Sequence, residues 1–149
     1  MKTLILGVGN LLLRDEGVGI HVIHALEKES LPSGVDLMDG GTGGFHLISW
    51  LEEYERIVMI DATLDNNPPG TIRVIRPRYA SDFPPLMSAH EIGLKDMLEV
   101  MQLTGTMPEV HLIVVSAADI SEVGMDLSPE LEAVVPEIVK TVKNVIAEA

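Results

Sequence analysis

The chain has 149 residues, of which 46% are hydrophobic and only 3% aromatic, so aliphatic side chains must fill its core. A formal net charge of −13 repels phosphate backbones, which disfavours a nucleic-acid partner and suits a basic surface on a protein partner. The absence of cysteine excludes disulfides, thiolate metal ligands and a cysteine nucleophile and fits a cytoplasmic setting, and no apolar run approaches the roughly 20 residues that insertion across a membrane requires.

Lys2–Gly9 reads as a buried strand, a short apolar run ending in glycines. Broken at Gly7, Gly9 and Asn10, it is too short and glycine-rich for the core of a signal peptide. Glu16–Glu29 predicts a helix: Val18, Val22, Ala25 and Leu26 share one face, and Ile20 and Ile23 make a second side apolar. Val35–Met38 is a short strand that stops at Asp39-Gly40-Gly41-Thr42-Gly43-Gly44, and Phe45–Glu53 follows as a short helix. Arg56–Ile60 is a third buried strand, with Asp61 at its end.

Asn66-Asn67-Pro68-Pro69-Gly70 marks a turn. Thr71–Ile75 then alternates, so soon after a strand that an antiparallel edge strand is expected. Pro77–Met87 is an irregular loop, Glu91–Leu103 a helix with Leu94, Met97, Leu98 and Met101 on one face, and Val110–Val115 the last strand. Ser128-Pro129 supplies a serine N-cap and a proline at the first helical position. Leu131, Val134, Val135, Ile138, Val142 and Val145 follow at helical spacing, and Pro136 should kink or split that helix.

Strands alternating with helices predict an α/β fold in one domain, residues 1–149. Its architecture is a three-layer α/β/α sandwich around a mainly parallel, five-stranded twisted sheet with one antiparallel edge strand. Such folds bind ligands beyond the carboxyl ends of the strands. Asn10–Glu16, Asp39–Thr42 and Asp61–Thr63 all fall there.

Several familiar signatures fail. Gly7-Val8-Gly9 invites a dinucleotide-binding reading, but Leu12 stands where the third glycine belongs, and Asp15 and Glu16 would repel phosphates. No Gly-Lys-Ser/Thr and no Gly-x-Ser-x-Gly occurs. His90-Glu91 lacks the second histidine of a zinc-protease helix, because position 94 is Leu94. His21 and His24 lie three apart on a helix, where His21 flanks the packed face and His24 the surface; His46 and His111 read as structural, and the eight methionines as core filler.

What remains is a set of oxygen and nitrogen donors. Asp15 and Glu16 have a plain role, since acidic residues at a helix N-terminus complement its dipole. Asp61 ends an apolar strand, where a carboxylate is costly without partners, and His90 opens a helix. Glu16, Asp61 and His90 together suit a borderline-to-hard metal with positions open to water or substrate, although spacing alone does not prove it. Asp39 and its glycines read either as a tight turn with a cap, or as backbone exposed to an extended peptide beside a carboxylate that acts on water.

Gly7–Gly19, Asp39-Gly40-Gly41-Thr42, Asp61-Ala62 and Ser88-Ala89-His90-Glu91-Ile92-Gly93-Leu94 resemble, in order and spacing, the hydrogenase maturation proteases. The resemblance covers essentially the whole chain. It implies an endopeptidase that removes a C-terminal extension from the nickel-loaded precursor of a [NiFe] hydrogenase large subunit. It puts the nickel-binding positions on Glu16, Asp61 and His90, and the family's Asp-Gly/x-Gly-Thr segment on Asp39–Thr42. Three open donors suit docking onto nickel carried by the substrate, with cadmium or zinc as substitutes in vitro. The metal then polarises the scissile carbonyl or activates a water, or a carboxylate such as Asp39 activates water in aspartic-type fashion. A non-catalytic nickel-binding chaperone and a Rossmann-type nucleotide-binding module are the alternative readings. The sequence carries no signal for an oligomeric state.

Overall fold

Strands and helices alternate along the computed structural model, which describes residues 2–41, 51–76, 94–105, 108–118 and 123–148. The strands are β1 (Thr3–Val8), β2 (Val35–Gly41), β3 (Arg56–Thr63), β4 (Ile72–Ile75) and β5 (Glu109–Ser116). The helices are α1 (Val18–Leu26), entered through a 3-10 turn at Arg14–Gly17, then α2 (Leu94–Leu103) and α3 (Pro129–Ala147). The sheet order is β2-β1-β3-β5-β4. All neighbours are parallel except β4, which runs antiparallel to β5 at the edge, as its sequence predicts.

β1 and β3 are buried at every residue, because a parallel sheet is covered on both faces. On one face Ile5, Val58, Ile60 and Ile113 pack against α1 and α3. On the other Leu4, Leu6, Met59 and Leu112 meet Leu51, Tyr54 and Met101 of α2. The strict alternation assigns each position of the central strands to one layer. Among the described residues no helix is long and apolar enough to cross a membrane.

Element ends differ from the sequence expectation for physical reasons. β2 does not stop at Asp39 but runs to Gly41. Gly7 and Val8 of β1 pair with Asp39 and Gly41, so Gly40 is an extra residue, a bulge rather than a terminator. β3 continues past Asp61 to Thr63 because β5 supplies partners as far as Ser116. The expected helix Glu16–Glu29 is a 3-10 turn followed by only nine α-helical residues; Arg14, with φ 49°, turns the chain before it. α3 runs unbroken through Pro136, which is exposed, as is Glu132, whose carbonyl loses its helical partner to the proline and is left to water. Residues 45–50 of the expected helix Phe45–Glu53, the loop Pro77–Met87 and the first turn of the helix expected from Glu91 lie outside the described residues.

Both ends of α3 are held by buried charges. Ser128 is the N-cap and Pro129 follows at the first helical position, yet the Ser128 hydroxyl makes no cap bond. It donates instead to Asp15 Oδ2 at 2.8 Å, and the Ser128 N–H donates to Asp15 Oδ1 at 2.7 Å. At the far end Arg56, 7% exposed, donates to the carbonyls of Glu148 at 2.9 Å and Ile146 at 3.0 Å, and its Nε donates to Thr3 Oγ1 at 3.2 Å. An anion at the N-terminus and a cation at the C-terminus both complement the helix dipole.

Two outcomes follow from this packing. Arg56→Met strips charge-assisted bonds from the last carbonyls of α3 and should cost about 2–3 kcal/mol, read from urea denaturation. His111 is buried on β5, and burial, then the charge of Arg76, hold its imidazole below the usual histidine range against the opposing pull of Glu109. Its folded pKa is thus below the unfolded value of about 6.5. The stability tied to the neutral ring is full above that pH and lost as pH falls through the folded value. The urea midpoint should drop between pH 7.5 and 5, and His111→Leu should drop less.

Candidate active site

The chain passes from β1 to β2 on one side of β1, then returns to β3 on the other. This reversal opens a crevice between the carboxyl ends of β1 and β3, the usual ligand position in such sheets. Glycines bring the backbone together there. A Cβ on Gly7 would stand 2.4 Å from the Gly19 carbonyl oxygen, and one on Gly19 would stand 2.3 Å from that of Ile60. The first turn of α1 therefore lies main chain to main chain over β1 and β3.

Gly9 completes the junction. Its φ of +129° favours glycine. A Cβ there would meet the Glu16 carbonyl oxygen at 2.0 Å and lie 3.8 Å from Asp61 Oδ1. One glycine thus borders both Glu16 and Asp61, which are 3% and 0% exposed. Asp61 Oδ1 accepts the N–H of Ala62 at 2.8 Å, which aims its carboxylate along the end of β3. Gly9 therefore packs against the Glu16 main chain on one side and the Asp61 carboxylate on the other.

The loop that carries Glu16 is tied down on its outer side. Leu12 N–H donates to Asn10 Oδ1 at 3.0 Å. Gly124 N–H donates to the Leu12 carbonyl at 2.7 Å, and Arg14 N–H to the Gly124 carbonyl at 2.9 Å. Asp15, fully buried, accepts the Ala118 N–H at 2.8 Å besides the two bonds from Ser128. Its carboxylate does more than complement a dipole: it joins the 3-10 turn to the ends of β5 and α3. No local sequence signal marks this pairing, since Asp15 and Ser128 are 113 residues apart.

The predicted residues separate into groups. The Glu16 main chain and the Asp61 carboxylate both border Gly9. Asp39 is not beside them: it is exposed and pairs with Gly7 on β2, two strands from β3, at the level of Ile60. Pleat alternation directs Asp39 toward the α1 layer and Asp61, level with Val114, toward the opposite one. Two strand spacings put their strands roughly 10 Å apart. His90 and His46 lie outside the described residues. His21 lies with Nε2 2.9 Å from the Met125 carbonyl oxygen, a structural tie, and His24 is exposed. Among the described residues no three histidine, cysteine or acidic side chains are grouped to hold a metal.

Comparison with known proteins bears on this arrangement. The family model described as Hydrogenase maturation protease matches residues 20–145. The chain is 32% identical to the Hydrogenase 2 maturation protease of Escherichia coli (strain K12), over 100% of this chain and 93% of that one. Among solved structures it is similar to the hydrogenase maturating endopeptidase HybD from E. coli, with a TM-score of 0.90 and 33% identity over 99% of this chain and 93% of that one. It is also similar to the [NiFe] hydrogenase maturation protease HybD from Thermococcus kodakarensis, with a TM-score of 0.77 and 30% identity over 97% and 99%.

The Gly9 junction makes a direct prediction. Gly9→Ala combines an unfavourable φ with a main-chain clash and should cost about 3 kcal/mol in thermal or urea unfolding. An alanine variant as stable as the parent would show that Gly9 does not set the approach of the Glu16 main chain to β1.

Proposed function

Because the chain belongs to the hydrogenase maturation proteases, we propose that it removes the C-terminal extension from the nickel-loaded precursor of a [NiFe] hydrogenase large subunit. The observation that carries this reading is that the main chain of buried Glu16 and the carboxylate of buried Asp61 flank Gly9 at the sheet's switch point. His90 is the third donor of the set. The nickel belongs to the substrate, and these residues recognise it. A nickel-free precursor lacks the metal that these residues recognise, so it docks poorly and escapes cleavage.

Cleavage is hydrolysis: the oxygen of water adds to the scissile carbonyl, the C–N bond breaks, and a proton passes to the departing amine. We assign activation of that water to Asp39. Its exposure on β2 gives it access to water. Metal-assisted activation of water is the competing chemistry.

The test is incubation with nickel-loaded and nickel-free large-subunit precursor, read by mass spectrometry. Glu16→Gln, Asp61→Asn and His90→Ala should each slow processing by about 100-fold or more. Asp39→Asn should lower kcat with KM nearly unchanged. Processing of nickel-free precursor at full rate would sink the recognition role, and an active Asp39→Asn would move the chemistry to the metal.

A further inference from the structure

The nickel-recognition reading uses Glu16 and leaves its neighbour Asp15 without a task, yet Asp15 is a fully buried carboxylate. The Ala118 N–H, Ser128 N–H and Ser128 hydroxyl all point at it, at 2.8, 2.7 and 2.8 Å. Ser128 stands at the N-cap of α3, where its hydroxyl has the usual place to cap its own helix; the hydroxyl makes no such bond. The hydroxyl is turned to the loop before α1 instead. Ala118 follows Ala117, whose N–H donates to the Thr63 carbonyl at 2.8 Å, two residues beyond Asp61. Asp15 thus fastens the 3-10 turn to the chain that flanks the end of β3.

Glu16 is the next residue in that turn. Its main chain meets Gly9 on one side, and the turn is held on the other by Asp15. Residues 120° apart on a 3-10 turn point in different directions, so the Glu16 side chain leaves the turn in another direction from the anchored Asp15. We infer that Asp15 and Ser128 form a positioning pair that sets the Glu16 carboxylate beside Asp61 for the metal carried by the substrate. The inference rests on the reading that Glu16 and Asp61 bind that metal. Groups behind metal ligands tune affinity by fixing the ligand's direction.

Cadmium(II) alone is the probe, titrated calorimetrically into the full chain below the unfolding transition of every variant. Ser128→Ala should weaken cadmium affinity about 10-fold and lower kcat on nickel-loaded precursor by a similar factor. Ser128→Thr, which keeps the hydroxyl, should restore both. Arg56→Met, which loosens the opposite end of α3, serves as the stability control and should keep parental cadmium affinity despite a lower Tm. Parental affinity in Ser128→Ala, or losses in Ser128→Ala and Arg56→Met that track Tm alike, would overturn the positioning role and leave the nickel reading standing. Failure of the parent chain to bind cadmium would overturn the nickel reading and this inference with it.

Discussion

The structure depends on one steric constraint: the first turn of α1 rests on β1 and β3 with no side chain between them. Gly7 and Gly19 meet at distances that no Cβ tolerates, and Gly9 meets the Glu16 carbonyl still more closely. A single methyl would lift the helix start away from the sheet. Glu16, whose carbonyl abuts Gly9, would rise with it. The glycines act by being small at a contact, not by making a loop flexible. Around that contact the apolar residues of β1, β3 and α1 close over it and fix its height.

α3 extends this constraint across the molecule. Asp15 receives its N-terminus and Arg56 its C-terminus. One anchor lies at the crevice end of the sheet and the other at the opposite end, beside Thr3 at the start of β1. The helix spans the sheet as a braced strut whose dipole is matched at both poles. This brace joins the packing of the core to the orientation of a loop, because the anion at its head belongs to the 3-10 turn that leads into α1.

Much of this was legible in the sequence, and the rest was hidden for definite reasons. The apolar runs of β1, β3 and β5 announce strands covered on both faces, and the short alternating run after Pro69-Gly70 announces the antiparallel edge. Their ends were not legible: β2 and β3 persist through Gly40 and Asp61 because a neighbouring strand offers hydrogen bonds, which no local signal records. Pro136 reads as a break only if its surroundings are unknown, and there the carbonyl faces water. Glu16 and Asp61 stand out in the sequence because each follows an apolar strand. Asp15 looked like dipole complementation because its true partner is remote in sequence. That Asp39 and Asp61 face different layers follows only from register, and register is a property of the sheet.

β2 has a strand neighbour on one side only among the described residues. An open strand edge is a template on which a second chain can pair. Asp36 and Asp39 stand exposed along it, and the Gly40 bulge spoils its spacing. The Tyr54 hydroxyl donates to Asp36 at 2.8 Å, and burial, together with that bond, pushes the phenol up to about 12, so it stays protonated and keeps donating at neutral pH. Like charges on two approaching copies repel along the one line where their backbones would zip together. The acidity of this strand thereby acts as protection against self-templated aggregation, keeping the edge nearest the crevice open without letting it become sticky.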